Sequence, residues 1–277
     1  MPTMNRHSRP RFHRRRRWVV SISVTLAVVV AGAVTLIGLL GSPAVASTCT
    51  FGGRSGGDPY AITPIQAQNA ALITAVGLRK GLPDHAATVA LATSLQETHL
   101  QNLPYGDRDS VGLFQQRPSE GWGTTAQIMD PTYAAGAFYN HLAKIPGWES
   151  LPVTDAAQRV QLSATPDAYA QWSPEAHALA AASTGEVPAG LACLLSSFGG
   201  AAPNHMALTK AASAQLGPDP FGTPASTQRG WQVAAWAVAN AYSYHLTSVT
   251  FGGRTWTSMS GTWVAAPVVN HVETSTQ

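Results

Sequence analysis

The chain has 277 residues, 45 % of them hydrophobic and 11 % charged, with a formal net charge of +3. Seven of its 17 Lys and Arg residues fall within the first 17 positions and all 14 acids come later, so ten basic residues face 14 acids over the remainder. That balance leaves no concentrated basic surface and excludes nucleic acid as a partner. Nine histidines and two cysteines lack any His-x-x-x-His or Cys-x-x-Cys spacing, so neither a metal nor a cofactor is expected.

The seven arginines precede an uncharged run of 23 residues from Trp18 to Leu40. At about 1.5 Å per residue such a helix would cover roughly 34 Å, enough to span a bilayer. The positive-inside rule then puts the N-terminus in the cytoplasm and the rest outside. Ala44-Val45-Ala46 is a small-x-small site of the kind cut by signal peptidase. Residues 1–46 therefore read as a basic cytoplasmic segment plus a transmembrane anchor or signal helix. The remainder is expected to be extracytoplasmic, anchored N-in and C-out through Trp18 to Leu40 or secreted to the cell wall. Residues 47–62 read as a linker. Cys49 and Cys193 are expected to pair, as two cysteines in an exported protein usually do, tying the segment that enters the next domain to the one that leaves it.

Thr63-Pro64 predicts a helix start, an N-cap with proline at the first helical position, and Arg79-Lys80-Gly81 its end. Asp84 reads as the cap of the next helix. From Ala86 to Gln96 there is no charge, and Ala86, Ala90, Thr93 and Glu97 recur at helical spacing. A helix that is small or apolar nearly all round is a buried helix. Glu97 then stands at its C-terminal end, where desolvation and the helix dipole both disfavour ionisation and suit the carboxyl to general acid catalysis. Turn signals follow, Leu103-Pro104, then Gly106 to Ser110, then Gly112, and predict a short hairpin folded over the helix end. Asp130-Pro131, Thr154-Asp155 and Ser173-Pro174-Glu175 read as three more helix starts. A lone acid at a cleft wall, faced by a polar loop with further carboxylates, suits glycosidic bond cleavage.

The pair Glu97-Thr98, followed by Asp109-Ser110-Val111-Gly112-Leu113-Phe114-Gln115, resembles the Glu-Ser and Gly-Leu-Met-Gln motifs of bacterial lytic transglycosylases and goose-type lysozymes. Asp130-Pro131 and the helix through Phe138, Tyr139 and Leu142 resemble the helix that follows those motifs. The string from Gly106 to Pro118, with Gly121-Trp122-Gly123-Thr124 after it, is similar to exported lysozyme-like proteins of high-GC Gram-positive bacteria. The resemblance spans roughly Thr63 to Gly185. It departs from the pattern at the Ala-Tyr-Asn-Ala-Gly motif, whose place is taken by the stretch from Ala157 to Tyr169, and at Thr98, which replaces the usual serine.

This resemblance implies a mainly α, lysozyme-like α+β fold with a short β-hairpin lobe. It also implies a muramidase that cuts the N-acetylmuramic acid to N-acetylglucosamine bond of peptidoglycan glycan strands. In a transglycosylase Glu97 alone would act, first as acid and then as base. A hydrolase would add a second carboxylate, Asp107 or Asp109, although Asp in such a turn often only bonds local backbone. Thr98, Ser110, Gln115, Gln116, Trp122 and Tyr169 are the candidate substrate-binding residues; Trp148 and Trp172 could also stack on sugar rings. The rival reading is a non-catalytic peptidoglycan-binding protein on the same fold.

The lysozyme-like domain is assigned to residues 63–195, a linker to 196–204, a small α+β accessory unit to 205–265 and a tail to 266–277. In the accessory unit, helices are expected over Met206 to Leu216 and Trp231 to Tyr244, a strand over Ser248 to Phe251, a turn at Gly252-Gly253, and an extended piece flanked by Trp256 and Trp263. This unit resembles the second half of a D-alanyl-D-alanine carboxypeptidase-like module without its metal-binding half, which implies wall binding.

Overall fold

A computed structural model describes residues 46–52, 58–200 and 205–277 of the chain. Residues 47–62 are not a plain linker: they hold strands β1 (Thr48–Phe51) and β2 (Tyr60–Ile62), which pair antiparallel. Helix α1 (Pro64–Arg79) starts as expected, with Thr63 and Gln66 in a reciprocal capping box and Pro64 at the first position. Helix α2 (Asp84–Thr98) follows, and here the expected cap shifts: Pro83 holds the cap position in extended conformation and Asp84 is the first helical residue.

A loop then leads to the short α3 (Thr125–Ile128) and to α4 (Pro131–Leu142), whose Asp130 side chain accepts from the backbone N–H groups of Thr132 and Tyr133. Helices α5 (Val153–Gln161) and α6 (Ser173–Ser183) begin two residues and one residue before the expected point, so Thr154 lies in a first helical turn and Ser173 opens its helix. Strand β3 (Leu191–Leu194) returns to pair with β1, giving the sheet order β2-β1-β3. Cys49 and Cys193 sit directly opposite one another in that ladder and are joined by a disulfide.

Beyond β3 lie α7 (His205–Leu216) and α8 (Thr227–Tyr244), the latter capped by Ser226 and so starting four residues before the expected Trp231. Strands β4 (Leu246–Phe251), β5 (Arg254–Thr257), β6 (Trp263–Ala265) and β7 (Glu273–Thr276) form a second antiparallel sheet in the order β6-β5-β4-β7. The Gly252-Gly253 turn joins β4 to β5 with both residues at positive φ, 54° and 75°, as a two-residue hairpin loop requires.

Two expectations need correction. The mainly α fold with one hairpin lobe is a mixed α+β fold with two small open sheets. The lobe over α2 contains only isolated bridges, Leu103 with Gly112 and Val111 with Gln116. Second, among the described residues no helix is long and apolar enough to cross a membrane. The run from Trp18 to Leu40, on which the transmembrane or signal helix rested, lies outside the described residues, as do Ala44 and Val45.

Helix α2 packs against α1, α4, α5 and α6, and is buried from Ala86 through Leu95. Helix α8 lies across α1 and against β4, so one hydrophobic core runs from Cys49 to Val272. Two indoles fasten the second sheet to the first: Trp256 donates to the carbonyl of Cys193 at 3.0 Å and Trp263 to that of Leu191 at 2.8 Å. Behind α6, Gly185 at φ 78° lies directly on the α8 backbone. A Cβ there would stand 2.2 Å from the Gln228 carbonyl oxygen and 2.5 Å from the Gln232 nitrogen.

Gly185→Ala should therefore cost more than about 2 kcal/mol, the strain of a left-handed alanine plus a backbone clash. Gly81→Ala, also left-handed but with open space around it, should cost only about 1 kcal/mol. Denaturant unfolding of both variants checks the difference.

Candidate active site

Glu97 lies in the last turn of α2, and the chain leaves that helix abruptly. His99 and Leu100 both adopt left-handed backbone, at φ 52° and 60°, a conformation that costs a branched side chain about 1–2 kcal/mol. Two amides of α1 hold this turn. Gln66 Nε2 donates to the His99 carbonyl at 2.7 Å, and Asn69 Nδ2 to that of Leu100 at 2.8 Å. On the other side, the hydroxyls of Ser94 and Thr98 both donate to the Leu113 carbonyl, at 3.0 and 2.9 Å, and pin the loop over the helix end. Thr98 is thus buried and anchors the loop rather than lining the cleft.

The cleft that opens beside Glu97 has a volume of about 890 Å³. Of the residues singled out in the sequence, Asp107, Ser110, Gln115, Gln116 and Trp122 line it together with Glu97. Tyr169 lies behind the wall, buried, and its hydroxyl donates to Glu97 Oε1 at 2.8 Å. Gln161, the last residue of α5, donates its Nε2 to the same oxygen at 3.3 Å and to the Phe114 carbonyl at 2.9 Å. Both donors converge on Oε1, and among the described residues no protein donor reaches Oε2. Burial pushes the Glu97 carboxyl above its ordinary value, opposed in part by the hydrogen bonds from Tyr169 and Gln161. Burial and the adjacent carboxylate likewise push the Tyr169 hydroxyl far above its usual range, so it remains a donor.

The other carboxylates have different partners. Asp107 is exposed and pairs with Arg117 Nη2 at 3.0 Å, while Glu120, also on the cleft, pairs with Arg117 Nη1 at 2.8 Å. The same guanidinium donates through Nε to Ser110 Oγ at 2.9 Å. Asp109 does not line the cleft. It accepts from the backbone N–H of Ser119 at 2.8 Å and from its hydroxyl at 2.9 Å, and the backbone bond holds its carboxyl below the ordinary value. Glu97 is accordingly the cleft carboxyl with no cation beside it among the described residues.

Gln115 is left-handed, at φ 48°, and its amide donates to the carbonyls of Tyr105 and Gly112. Its side chain lies so close over Gly106 that a Cβ there would stand 1.8 Å from Oε1. Gln116 turns inward, donating to the Ala134 carbonyl at 3.1 Å. Trp122 rests on His141 of α4, with ring centroids 4.0 Å apart, and burial lowers the His141 pKa. Trp148 is buried against His85, and Trp172 donates to Gln96 Oε1 at 2.8 Å; neither lines the cleft. Gln161, Arg117 and His141 are site residues that the sequence did not single out. Gln161 falls in the stretch from Ala157 to Tyr169, where the sequence departs from the pattern it otherwise resembles, and that position was its available signal. Among the described residues, no group of three or more His, Cys, Asp or Glu is placed to hold a metal ion. No protein-family model matches the chain, and no curated protein matches it.

Because the folded-state pKa of Glu97 is raised, its protonated form is the one the fold favours. Stability associated with it is complete below the pKa of an unfolded glutamate and is lost as pH rises through the folded value. Glu97→Gln, which mimics the protonated acid, should raise the thermal midpoint at pH 7. The gain should vanish below about pH 4, as thermal melts across that range would record.

Proposed function

We propose that the protein is a peptidoglycan-cleaving muramidase of the lytic transglycosylase type, with Glu97 as its acid and base. The observation that carries this reading is the isolation of Glu97 in the cleft: half-buried, without a cation, its pKa raised and Oε1 occupied by two donors. A proton on that carboxyl belongs on Oε2, the oxygen without a protein partner. From there it passes to the glycosidic oxygen between N-acetylmuramic acid and N-acetylglucosamine as the C1–O bond breaks. The carboxylate so formed, stabilised at Oε1 by Tyr169 and Gln161, takes the proton of the muramyl 6-hydroxyl as that oxygen closes on C1. The product is a 1,6-anhydro ring.

The partners of the other acids favour this one-carboxylate chemistry over hydrolysis. Asp107 is ion-paired with Arg117 and Asp109 is bonded to Ser119, so neither of these two candidates is free to activate water. The Cys49–Cys193 bridge supports an oxidising, extracytoplasmic setting, where such glycan strands are found.

Mass spectrometry of material released from purified peptidoglycan tests the proposal. Muropeptides ending in 1,6-anhydromuramic acid are expected, with release reduced about 10²- to 10⁴-fold in Glu97→Gln. Release should also decline as pH rises through the elevated Glu97 pKa, since the first step needs the protonated acid. Reducing ends would replace the transglycosylase with a lysozyme. Binding to the wall with no release from either form would leave a binding protein and overturn the enzyme.

A further inference from the structure

A second pocket, of about 290 Å³, shares no lining residue with the cleft and is built from helix ends. Its walls include Arg79 at the end of α1, Asp84 at the start of α2, Thr184 after α6, and Ser226, Gln228 and Arg229 at the start of α8. Arg79 donates through Nη1 to the carbonyl of Ala214. Arg229, half-buried, donates through Nη1 to Gln232 Oε1 at 2.6 Å and through Nη2 to the carbonyl of Leu216. Each guanidinium has five N–H donors, so both keep donors to spare.

The partners of these two arginines are all neutral. Neither forms an ion pair with a carboxylate of the described residues. Burial lowers the pKa of Arg229, as expected for a cation whose charge nothing nearby answers. Asp84 is the acid on the pocket wall, and its Oδ2 is engaged only by Gln228 Nε2 at 3.4 Å. Capping the carbonyls that end α7 explains why donors stand here but not why both are permanently charged, since amides would serve that purpose. Two arginines on the wall of one concave space, Arg229 in the first turn of an 18-residue helix and Arg79 closing α1, have the composition of an oxyanion site.

We propose that this pocket binds a phosphate group, held by the Arg79 and Arg229 forks with Asp84 setting a limit on affinity. The volume, small for a drug-sized ligand, suits a compact anion. The inference does not depend on the proposed glycan cleavage.

The test is calorimetric titration of the full-length protein with sodium phosphate, with ionic strength held constant by sodium chloride. Saturable one-site binding is expected. Arg229→Gln and Arg79→Gln should each weaken it at least about tenfold, as loss of charge-assisted hydrogen bonds requires. Asp84→Asn should tighten it several-fold, an effect that a merely structural role for the arginines would not produce. Arg229→Lys, which retains the charge but not the fork, should bind at intermediate strength and serves if the glutamine variant does not fold. Sodium acetate in a parallel titration should bind more weakly. The proposal is overturned by no saturable phosphate uptake in the unmodified protein, by affinity unchanged in both arginine variants, or by acetate binding tighter than phosphate.

Discussion

The architecture depends on the burial of one helix. From Ala86 to Gln96 helix α2 offers no charge to solvent, so it is stable only when other elements cover it on every side. α1, α4, α5 and α6 do so, and its small residues allow them to approach closely. Such a helix can reach the surface only at its ends. Asp84 stands at one end, on the small arginine-lined pocket, and Glu97 at the other, on the large cleft. The position of the candidate acid is thus a consequence of how the helix is packed. Its raised pKa follows from the same burial.

A second constraint separates the carboxylates. Arg117 gathers Asp107, Glu120 and Ser110 around one guanidinium, while Ser119 occupies Asp109. The charges of the polar loop are thereby tied to one another, and Glu97 is left as the cleft carboxyl with no cation beside it among the described residues. Local strain accompanies this arrangement. Arg108, Gln115 and Leu162 all line the cleft with left-handed backbone at φ 55°, 48° and 50°. Non-glycine residues in that conformation gather where a site needs a precise shape.

Much of this was legible in the sequence where the signal is local. The Thr63 cap with Pro64 behind it, the Asp130 cap, the burial of α2 and the diglycine hairpin all depend on neighbours a few residues apart. The cleft positions of Glu97, Asp107, Ser110, Gln115, Gln116 and Trp122 were likewise marked by one contiguous motif. What could not be read depends on partners far away in the chain. Strands β1 and β2 are too short to show alternation; β1 pairs with β3 more than 100 residues later, and β2 pairs in turn with β1. Strand β7, polar and at a sheet edge, looks like a tail until β4 is beside it. Thr98 and Asp109 belong to the motif but face a carbonyl and a turn. Gln161 acquires its role only when α5 meets the end of α2.

The fastening of β3 bears on the order in which the molecule can take shape. Synthesis proceeds from the N-terminal end, so every residue that lines the cleft is made before Cys193. Cys49 must remain unpaired until its partner, 144 positions later, has emerged. Even then the carbonyls of Leu191 and Cys193 await the indoles of Trp263 and Trp256, and α1 awaits α8. A nascent chain that already contains the whole cleft sequence still lacks α8, which covers α1, and the indoles that fasten β3. A product cut short in the last third would possess the site residues and the helices packed around α2, but with β3 unfastened and one face of α1 uncovered.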